Sequence, residues 1–350
     1  MALKDKIIRV GFGAFRATGL HRLASPITRG RGVILMLHHV RPWRPATPGF
    51  APNRGLEIAP EFLDAALRAV RAAGFDLVTM DEASRRLEEG GAPFAALTFD
   101  DGYRDLVTFA LPILERWQAP FTAYVATGYV RRTARLWWLE LEEAVRRLAR
   151  IEIALDNLSL ALPCASDEEK NAAFRQLYWA LRAGSEDRLL RIVCELAARA
   201  EIGGPALVDD LCLNWTELAE LARHPLATIG AHTVNHRMLA KWPPEVARAE
   251  MAASKADIEK ELGVVVRHFA YPVGDPTSAG PRDFALAREV GFSTAATTRP
   301  GMIFDEHRGH ETALPRLSIN GGWQDVGYLE VLLSGAPFAL WNRGRRLNVA

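Results

Sequence analysis

The sequence predicts an α/β fold built on a mostly parallel sheet or barrel. Short apolar runs of strand length alternate with stretches in which apolar residues recur at helical spacing. Several apolar runs end abruptly in acids, histidines or glycines, which is typical of buried strands that end at one edge of a sheet. Only residues 130–224 interrupt the alternation, with a long stretch of helical sequence that we interpret as an insertion or lid.

The elements follow in order along the chain. The first strand is predicted at residues 33–38, and an amphipathic helix at 60–73 is stopped by Gly74. Next come strands at 75–80, 94–99 and 121–126 and helices at 81–90 and 103–117. The insertion is predicted as helices at 136–150, 167–182, 185–200 and 215–223. Beyond it we expect strands at 227–231, 264–270, 292–296 and 314–319, with helices at 244–262, 281–290 and 323–334.

The composition excludes some classes of protein. The 350 residues carry a net charge of +1, so no overall field favours nucleic acid as a partner. Cys164, Cys194 and Cys212 lie far apart, without metal or disulfide spacing, which indicates a reducing compartment. No apolar run has the roughly 20 residues that a membrane span needs. We therefore expect a cytoplasmic protein.

The two ends of the chain are basic. Residues 1–32 mix lysines, arginines and apolar residues with a single acid, Asp5, and contain no continuous apolar core of a signal peptide. Such a segment either lies on the inner face of an anionic membrane or caps the domain as a solvated helix. Residues 336–350 are expected to form an exposed basic tail.

Asp100 and Asp101 end the apolar run 94–99 and precede Gly102. Two acids at the end of a buried strand are costly to desolvate unless a metal ion or an arginine pairs with them. Because adjacent strand residues point in opposite directions, one carboxylate can bind a metal while the other faces a reacting atom. The alternative is an Asp helix cap beside an Asp-Gly turn.

Two further clusters follow later strands. His232 and His236 come after the strand at 227–231, and two histidines four residues apart can reach one metal ion. Together with an aspartate, they would leave a coordination position open for water. Arg267 lies on the apolar strand 264–270, where a buried arginine needs an acid such as Asp100; the alternative is a surface arginine on an edge strand.

These motifs together resemble those of the polysaccharide deacetylases, a carbohydrate esterase family with the NodB homology domain. The resemblance rests on Thr98-Phe99-Asp100-Asp101-Gly102, on His232-Thr233-x-x-His236 and on Arg267-x-Phe269-x-Tyr271-Pro272-x-Gly274, in that order. Met36-Leu37-His38 adds a similarity to bacterial members. The resemblance covers residues 33–126 and 227–319 and leaves the insertion out.

The resemblance implies a distorted (β/α) barrel with fewer than eight strands. It implies a divalent metal, usually zinc, held by Asp101, His232 and His236. Asp100 would act as the general base, Arg267 would orient it, and the backbone N–H of Tyr271 would stabilise the oxyanion.

One motif departs from the family pattern. Many members carry a late Leu-x-His whose histidine protonates the leaving amine, but here the stretch reads Leu314-Pro315-Arg316. Arginine keeps its proton near neutral pH, so the acid comes from elsewhere or Asp100 carries the proton through both steps. His38 or His39 would touch substrate or support the site, or else be structural. Trp137 and Trp138 would stack on sugar rings or anchor the core.

The sequence thus predicts a metal-dependent enzyme that removes the acetyl group from an N-acetylated sugar in a glycan or a lipid-linked precursor. The alternatives are a deformylase or other sugar amide hydrolase, and a non-catalytic glycan-binding protein on the same scaffold. We divide the chain into a basic segment at 1–32, a barrel at 33–129 and 225–335, the insertion at 130–224 and a tail at 336–350.

Overall fold

The computed structural model describes residues 3–42, 49–155 and 158–349, apart from the side chains of residues 3–10, 155 and 158. The predicted basic segment at 1–32 and the predicted tail at 336–350 therefore lie partly outside the described residues. Within the described ranges, no helix is long and apolar enough to cross a lipid bilayer.

The strands lie mainly where apolar runs predicted them. They are β1 (Gly32–Leu37), β2 (His39–Val40), β3 (Glu57–Ile58), β4 (Asp76–Val78), β5 (Phe94–Phe99), β6 (Phe121–Val125), β7 (Arg150–Leu155), β8 (Leu158–Pro163), β9 (Ala227–Ala231), β10 (His268–Ala270), β11 (Thr294–Pro300) and β12 (Leu314–Ser318).

The helices surround these strands. They are α1 (Leu3–Thr18), α2 (Leu20–Thr28), α3 (Pro60–Ala72), α4 (Met80–Glu89), α5 (Leu111–Trp117), α6 (Thr127–Val130), α7 (Trp137–Arg147), α8 (Asp167–Ala183), α9 (Glu186–Arg199), α10 (Gly204–Leu211), α11 (Trp215–Ala222), α12 (Pro244–Leu262), α13 (Pro281–Glu289), α14 (Val326–Leu333) and α15 (Ala336–Trp341). A π-helical turn, Leu106–Ala110, precedes α5.

Seven parallel strands close into a barrel, in the order β1-β12-β11-β10-β9-β6-β5. The closing pair is β5 with β1, which runs in register from Gly32 opposite Phe94 to Leu37 opposite Phe99. The short strand β4 pairs with the first half of β5. The predicted barrel with fewer than eight strands is confirmed.

Side-chain alternation along β5 separates the inside of the barrel from the outside. Phe94 and Ala96 belong to a small cluster with Ile34 and Leu314 that α4 covers, whereas Leu97 and Phe99 pack with the large core beneath the surrounding helices. Residues of the same parity as Phe94 therefore point into the barrel. α4 fills the end of the barrel at which the strands begin and leaves the other end for the site.

The insertion builds a second hydrophobic cluster, centred on α7, α8 and α9. It also contains the antiparallel hairpin β7–β8, whereas the sequence analysis predicted only helices there. Ile151 and Ile153 alternate with Glu152 and Ala154, a period of two that is typical of a strand. The prediction of a helix that reaches residue 150 was therefore wrong at its end.

The chain ends differently from the prediction. The closing helix α14 is shorter than expected, and a further helix, α15, forms within the residues assigned to the basic tail. α15 packs against α2. The arginines after it are exposed, as predicted.

Candidate active site

Asp100 and Asp101 lie where β5 ends at the open end of the barrel. Asp100 continues the inward parity of Phe94, Ala96 and Thr98, and its backbone N–H donates to the Leu37 carbonyl at 2.9 Å. Asp101 has a positive φ of 71°, so the chain turns sharply and its carboxylate takes a different direction. Both side chains are buried.

The partner of Asp100 is Arg316 on β12. Arg316 Nη1 and Nη2 donate to Asp100 Oδ1 and Oδ2, both at 2.7 Å. The guanidinium is fully buried, and its Nε donates to the Thr297 carbonyl at 2.8 Å. Arg316 shares the parity of the inward-facing Leu314, and this places it inside the barrel. A bidentate pair of this kind fixes the orientation of a carboxylate.

The prediction that Arg267 orients Asp100 was wrong. Arg267 precedes β10, and its side chain is 54% exposed at 3.6 Å from Asp81. Asp81 lies on α4, at the end of the barrel where the strands begin. Asp100 lies at the opposite end, so the two cannot meet. The alternative of a surface arginine is the one the structure supports.

Asp101, His232 and His236 form the predicted triad. Asp101 Oδ1 lies 3.4 Å from His232 Nε2 and 3.2 Å from His236 Nε2. Ligand atoms around a tetrahedral ion with bonds of about 2.0–2.1 Å are about 3.3 Å apart, so this spacing fits a metal. Among the described residues, these three alone form such a group of His, Cys, Asp or Glu ligands.

Two further details fit a metal at this triad. Asp101 Oδ1 is buried and has no hydrogen-bond partner within the described residues. His232 Nδ1 lies 2.7 Å from the Ala270 carbonyl, which can only accept a hydrogen bond. The Nδ1 therefore carries the proton, and Nε2 turns its lone pair towards Asp101. This tautomer is the one a metal ligand needs.

The loop that carries the histidines is held in a strained conformation. Thr233 and His236 both have positive φ, at 63° and 54°. Glu250 on α12 anchors the loop, since its carboxylate accepts from the backbone N–H groups of Val234 and Asn235 at 3.0 and 2.9 Å. Strain of this kind persists only where surrounding contacts impose it, and it is common at functional sites.

His38 and His39 have different roles. His38 lines the cavity above the triad, and its Nε2 lies 4.0 Å from Asp100 Oδ2. His39 is buried behind the site, where its Nδ1 lies 2.6 Å from Asp105 Oδ2 and its ring stacks on Tyr103. His38 is thus the histidine that can touch substrate, and His39 has a structural position.

Tyr271 does not reach the cavity. Its backbone N–H donates to the Ala296 carbonyl at 3.0 Å within the sheet, so the predicted oxyanion role for this group was wrong. Its hydroxyl donates to the Thr312 carbonyl at 2.7 Å in the core. Val273, two residues later, lines the cavity instead, and no acceptor for its N–H occurs among the described residues.

Val273 has a φ of 62°, an unusual value for a β-branched residue. Thr298 holds the loop, with its hydroxyl donating to the Val273 carbonyl at 2.7 Å and its N–H donating to the Gly274 carbonyl at 3.0 Å. The spacing of the motif alone does not reveal which of its N–H groups donate hydrogen bonds within the sheet. Positive φ at a valine is a signal that only coordinates provide.

The insertion forms one wall of a cavity of about 620 Å³ above the triad. Trp137 and Trp138 on α7 are largely buried yet line this cavity, so they serve both the core and the site. Trp138 packs on His236 with ring centroids 5.0 Å apart, and its Nε1 has no partner within the described residues. That N–H is therefore available to a ligand.

Helix α8 supplies residues that the sequence analysis did not identify. Phe174, Tyr178 and the exposed Trp179 line the cavity from one face of the helix. Their spacing of four and five residues was the available signal. Arg182 on the same helix donates to Asp275 Oδ2 at 2.9 Å, joining the insertion to the loop after Val273.

Charge in the site is set by these contacts. Burial acts to raise the pKa of Asp100, but the charge and hydrogen bonds of Arg316, together with the nearby His232 and His38, outweigh it and leave the pKa below its ordinary value. Burial also opposes ionisation of Asp101, and the neighbouring His236 and His232 lower its pKa well below the usual range. Burial lowers the pKa of His38 in spite of Asp100 and Asp101. The site at neutral pH thus has two ionised carboxylates.

Comparisons with known proteins agree with this geometry. A family model described as polysaccharide deacetylase matches residues 88–184 and 197–294. Three solved structures share the fold. The Streptococcus pyogenes deacetylase PplD in complex with acetate is 18% identical, with a TM-score of 0.53 over 83% of this chain and 92% of that chain. IcaB from Ammonifex degensii is 18% identical, with a TM-score of 0.51 over 86% and 97%. A polysaccharide deacetylase from Bacillus cereus is 16% identical, with a TM-score of 0.54 over 86% and 68%. A search of curated proteins finds no match.

Proposed function

Since this chain belongs to the polysaccharide deacetylase family, whose members hydrolyse acetamide C–N bonds in sugars, we propose that it is a metal-dependent N-deacetylase of an N-acetylated glycan. The observation that carries the proposal is the pairing of Asp100 with Arg316 beside the triad of Asp101, His232 and His236, within one cavity. A glycan-binding protein has no need for a carboxylate oriented by an arginine next to three candidate metal ligands.

The triad would hold a divalent cation, and nitrogen and carboxylate ligands of this kind suit zinc. A cation bound there polarises the amide carbonyl and lowers the pKa of a nearby water. Asp100 is the general base: its carboxylate, fixed by Arg316, takes the proton of the attacking water.

Val273 and His38 complete the proposed reaction. The free N–H of Val273 would donate to the oxygen that becomes negative when the carbonyl carbon turns tetrahedral. Asp100 would then pass the proton to His38, whose Nε2 lies 4.0 Å from Asp100 Oδ2. The imidazolium so formed protonates the amine as the C–N bond breaks. The products are acetate and an amino sugar.

The aromatic side chains that the insertion contributes to the cavity support a sugar as the substrate. We call them the aromatic wall: Trp137, Trp138, Phe174, Tyr178 and Trp179. Aromatic side chains offer flat apolar faces with a polar handle, and here Trp138 Nε1 supplies a hydrogen-bond donor beside the triad. We further propose a lipid-linked or nascent envelope precursor, with the protein peripheral on the inner face of the membrane. The basic residues 1–32 support this part of the proposal.

The experiment that tests the function measures acetate and formate released from a panel of N-acetylated and N-formylated oligosaccharides. The metal-loaded protein should release acetate, and a chelator should stop the reaction until zinc is restored. Asp100→Asn should lower kcat by roughly 10²- to 10⁴-fold, because it removes the general base. Asp64→Asn, on the surface of α3, is the matched control.

Three results would change the proposal. Formate in place of acetate would favour a deformylase. Glycan binding without release of either acid, in protein shown to hold a metal, would favour the non-catalytic alternative. Full turnover by Asp100→Asn would remove that residue from the mechanism.

A further inference from the structure

Helices α2 and α15 together expose an unusual number of large apolar side chains. Five of them are 53–76% exposed: Leu20, Leu23 and Ile27 on α2, and Leu340 and Trp341 on α15. In the described parts of the chain, only Trp179, Leu190 and Val265 are also exposed large hydrophobic residues. We call the five residues on α2 and α15 the apolar face.

The two helices form one surface. Leu20, Leu23 and Ile27 are three and four residues apart, so they share one side of α2. α15 packs against α2, and a Cβ atom at Gly335 would collide with the Thr28 carbonyl where the two meet. The Thr28 hydroxyl donates to the Ser334 carbonyl at 2.6 Å across the same junction. The two helices that carry the exposed apolar side chains are therefore in direct contact.

The surroundings of the apolar face are basic. No Asp or Glu occurs between Asp5 and Glu57, and none occurs after Glu330. Arg22 on α2 and Arg343 and Arg345 after α15 are exposed.

The acids near the apolar face have arginines close to them. Glu306 pairs with Arg346 at 3.1 Å, and Asp305 pairs with Arg31 at 3.1 Å. Glu330 lines a groove that also holds Arg22 and Arg29. The net charge around the apolar face is therefore positive.

We propose that the apolar face binds the surface of an anionic lipid bilayer. Exposed leucine and isoleucine side chains would enter the boundary between headgroups and acyl chains, and Trp341 has the amphipathic ring that favours this depth. The arginines would contact anionic headgroups. A second copy of the chain fits less well, because a symmetric dimer would place two basic rims against each other.

This inference extends the surface expected from residues 1–32 to the C-terminal helix, and it does not depend on the deacetylase activity. It accounts for the exposed apolar side chains that both helices carry. It also assigns a role to the basic residues after α15.

The test is sedimentation of the full-length protein with vesicles. Vesicles of phosphatidylcholine with phosphatidylglycerol should bind the protein, vesicles of phosphatidylcholine alone should bind it much less, and added salt should weaken the binding. Leu23→Glu and Ile27→Glu should each lower the partition coefficient roughly tenfold. Each removes an apolar side chain that would enter the bilayer and adds a negative charge that the anionic headgroups repel. Trp341→Ala should change the partition coefficient in the same direction.

Leu190→Glu and Val265→Glu are the matched controls, since they change exposed apolar residues on other elements. Binding that is equal for all variants, or equal for both kinds of vesicle, would overturn the proposal. So would a dimer that Leu23→Glu dissociates in protein that binds no vesicles. Hydrolysis of a water-soluble substrate should be unchanged in every variant, so this result is independent of the proposed catalytic function.

Discussion

Asp100 and Asp101 are neighbours in sequence but have different partners in space. Asp100 continues the inward-facing side of β5, so its carboxylate contacts Arg316 inside the barrel. The positive φ of Asp101 turns the next carboxylate towards the histidines. Arg316 compensates the buried charge of Asp100, whereas Asp101 faces the two histidines with an oxygen that has no hydrogen-bond partner within the described residues. Two consecutive residues that follow a strand can thus do different chemistry.

The pairing of Asp100 predicts a specific effect of Arg316→Lys. Lysine keeps the charge but carries its donors on a single nitrogen, so it cannot form the bidentate pair. We expect kcat to fall by roughly 100-fold, because the base loses its orientation, while KM changes little. Steady-state kinetics measure both. Arg316→Met is a poorer choice, since an unpaired buried Asp100 costs about 3–5 kcal/mol of stability.

Arg267→Lys is the matched control for that variant. Its side chain is exposed and lies at the other end of the barrel, so kcat should stay at the wild-type value. The reverse outcome, with Arg267→Lys slow and Arg316→Lys fully active, would contradict the assignment.

His38→Asn tests the proposed proton donor. We expect a loss in kcat of roughly 10²- to 10⁴-fold with unchanged metal content, because His38 lies beside Asp100 but is not a ligand. His39→Asn should mainly lower the free energy of unfolding, since it removes the buried contact with Asp105. Equal kinetic effects of the two substitutions would argue against a special role for His38.

At the scale of elements, Glu250 joins α12 to the loop between His232 and His236. Glu250→Gln keeps the size of the side chain but replaces an accepting oxygen with an NH₂ group. We expect metal affinity to fall roughly 10- to 100-fold, as it does when groups supporting metal ligands are changed. Competition with a chelator measures the affinity.

Glu261→Gln, near the end of the same helix, is the control, because Glu261 lies far along the helix from the loop and forms an ion pair with the exposed Lys260 at 3.7 Å. A Glu250→Gln protein that binds the metal as tightly as this control would show that the loop holds its conformation without the carboxylate.

The insertion and the barrel meet at Arg182 and Asp275. Arg182→Gln and Asp275→Asn should each raise KM for a glycan, because the aromatic wall loses its connection to the Val273 loop. A double-mutant cycle on the free energy of unfolding should give a coupling of roughly 0.5–3 kcal/mol. Strictly additive effects would mean that the contact does not join the two elements.

At the scale of the whole molecule, the metal triad could be predicted because its members follow strands of one parallel sheet. Asp101 and His232 come directly after apolar runs, and parallel strands end at the same side of a barrel. The closing pair of β5 with β1 could not be derived from periodicity, since that pairing depends on the curvature of the entire sheet. It was the family resemblance that implied a barrel.

The sequence alone could not decide which of two arginines pairs with Asp100. Arg267 and Arg316 both accompany short apolar strands, and a buried arginine on either would need an acid. Arg316 shares the inward parity of Leu314. Arg267 instead has the parity of the outward-facing Phe269 and lies where β10 begins. The inward face of a strand and its position along the barrel axis both follow from strand register, which the sequence does not display. The β7–β8 hairpin was different, because its alternating pattern was present in the sequence but was left unassigned between two predicted helices.

Stability at low pH should depend on His307, which lies far from the cavity. Burial lowers its pKa from 6.5 to about 4, against the raising effect of the Phe304 backbone. The unfolded chain binds this proton more readily, so the neutral imidazole stabilises the folded state fully above pH 6.5 and loses that contribution as the pH falls towards 4. Between pH 7 and pH 5 the wild type should lose roughly 2 kcal/mol that His307→Asn does not lose, measured by urea unfolding. His224→Asn, at the surface, should follow the wild type; a parallel decline in His307→Asn would mean that other groups cause the loss.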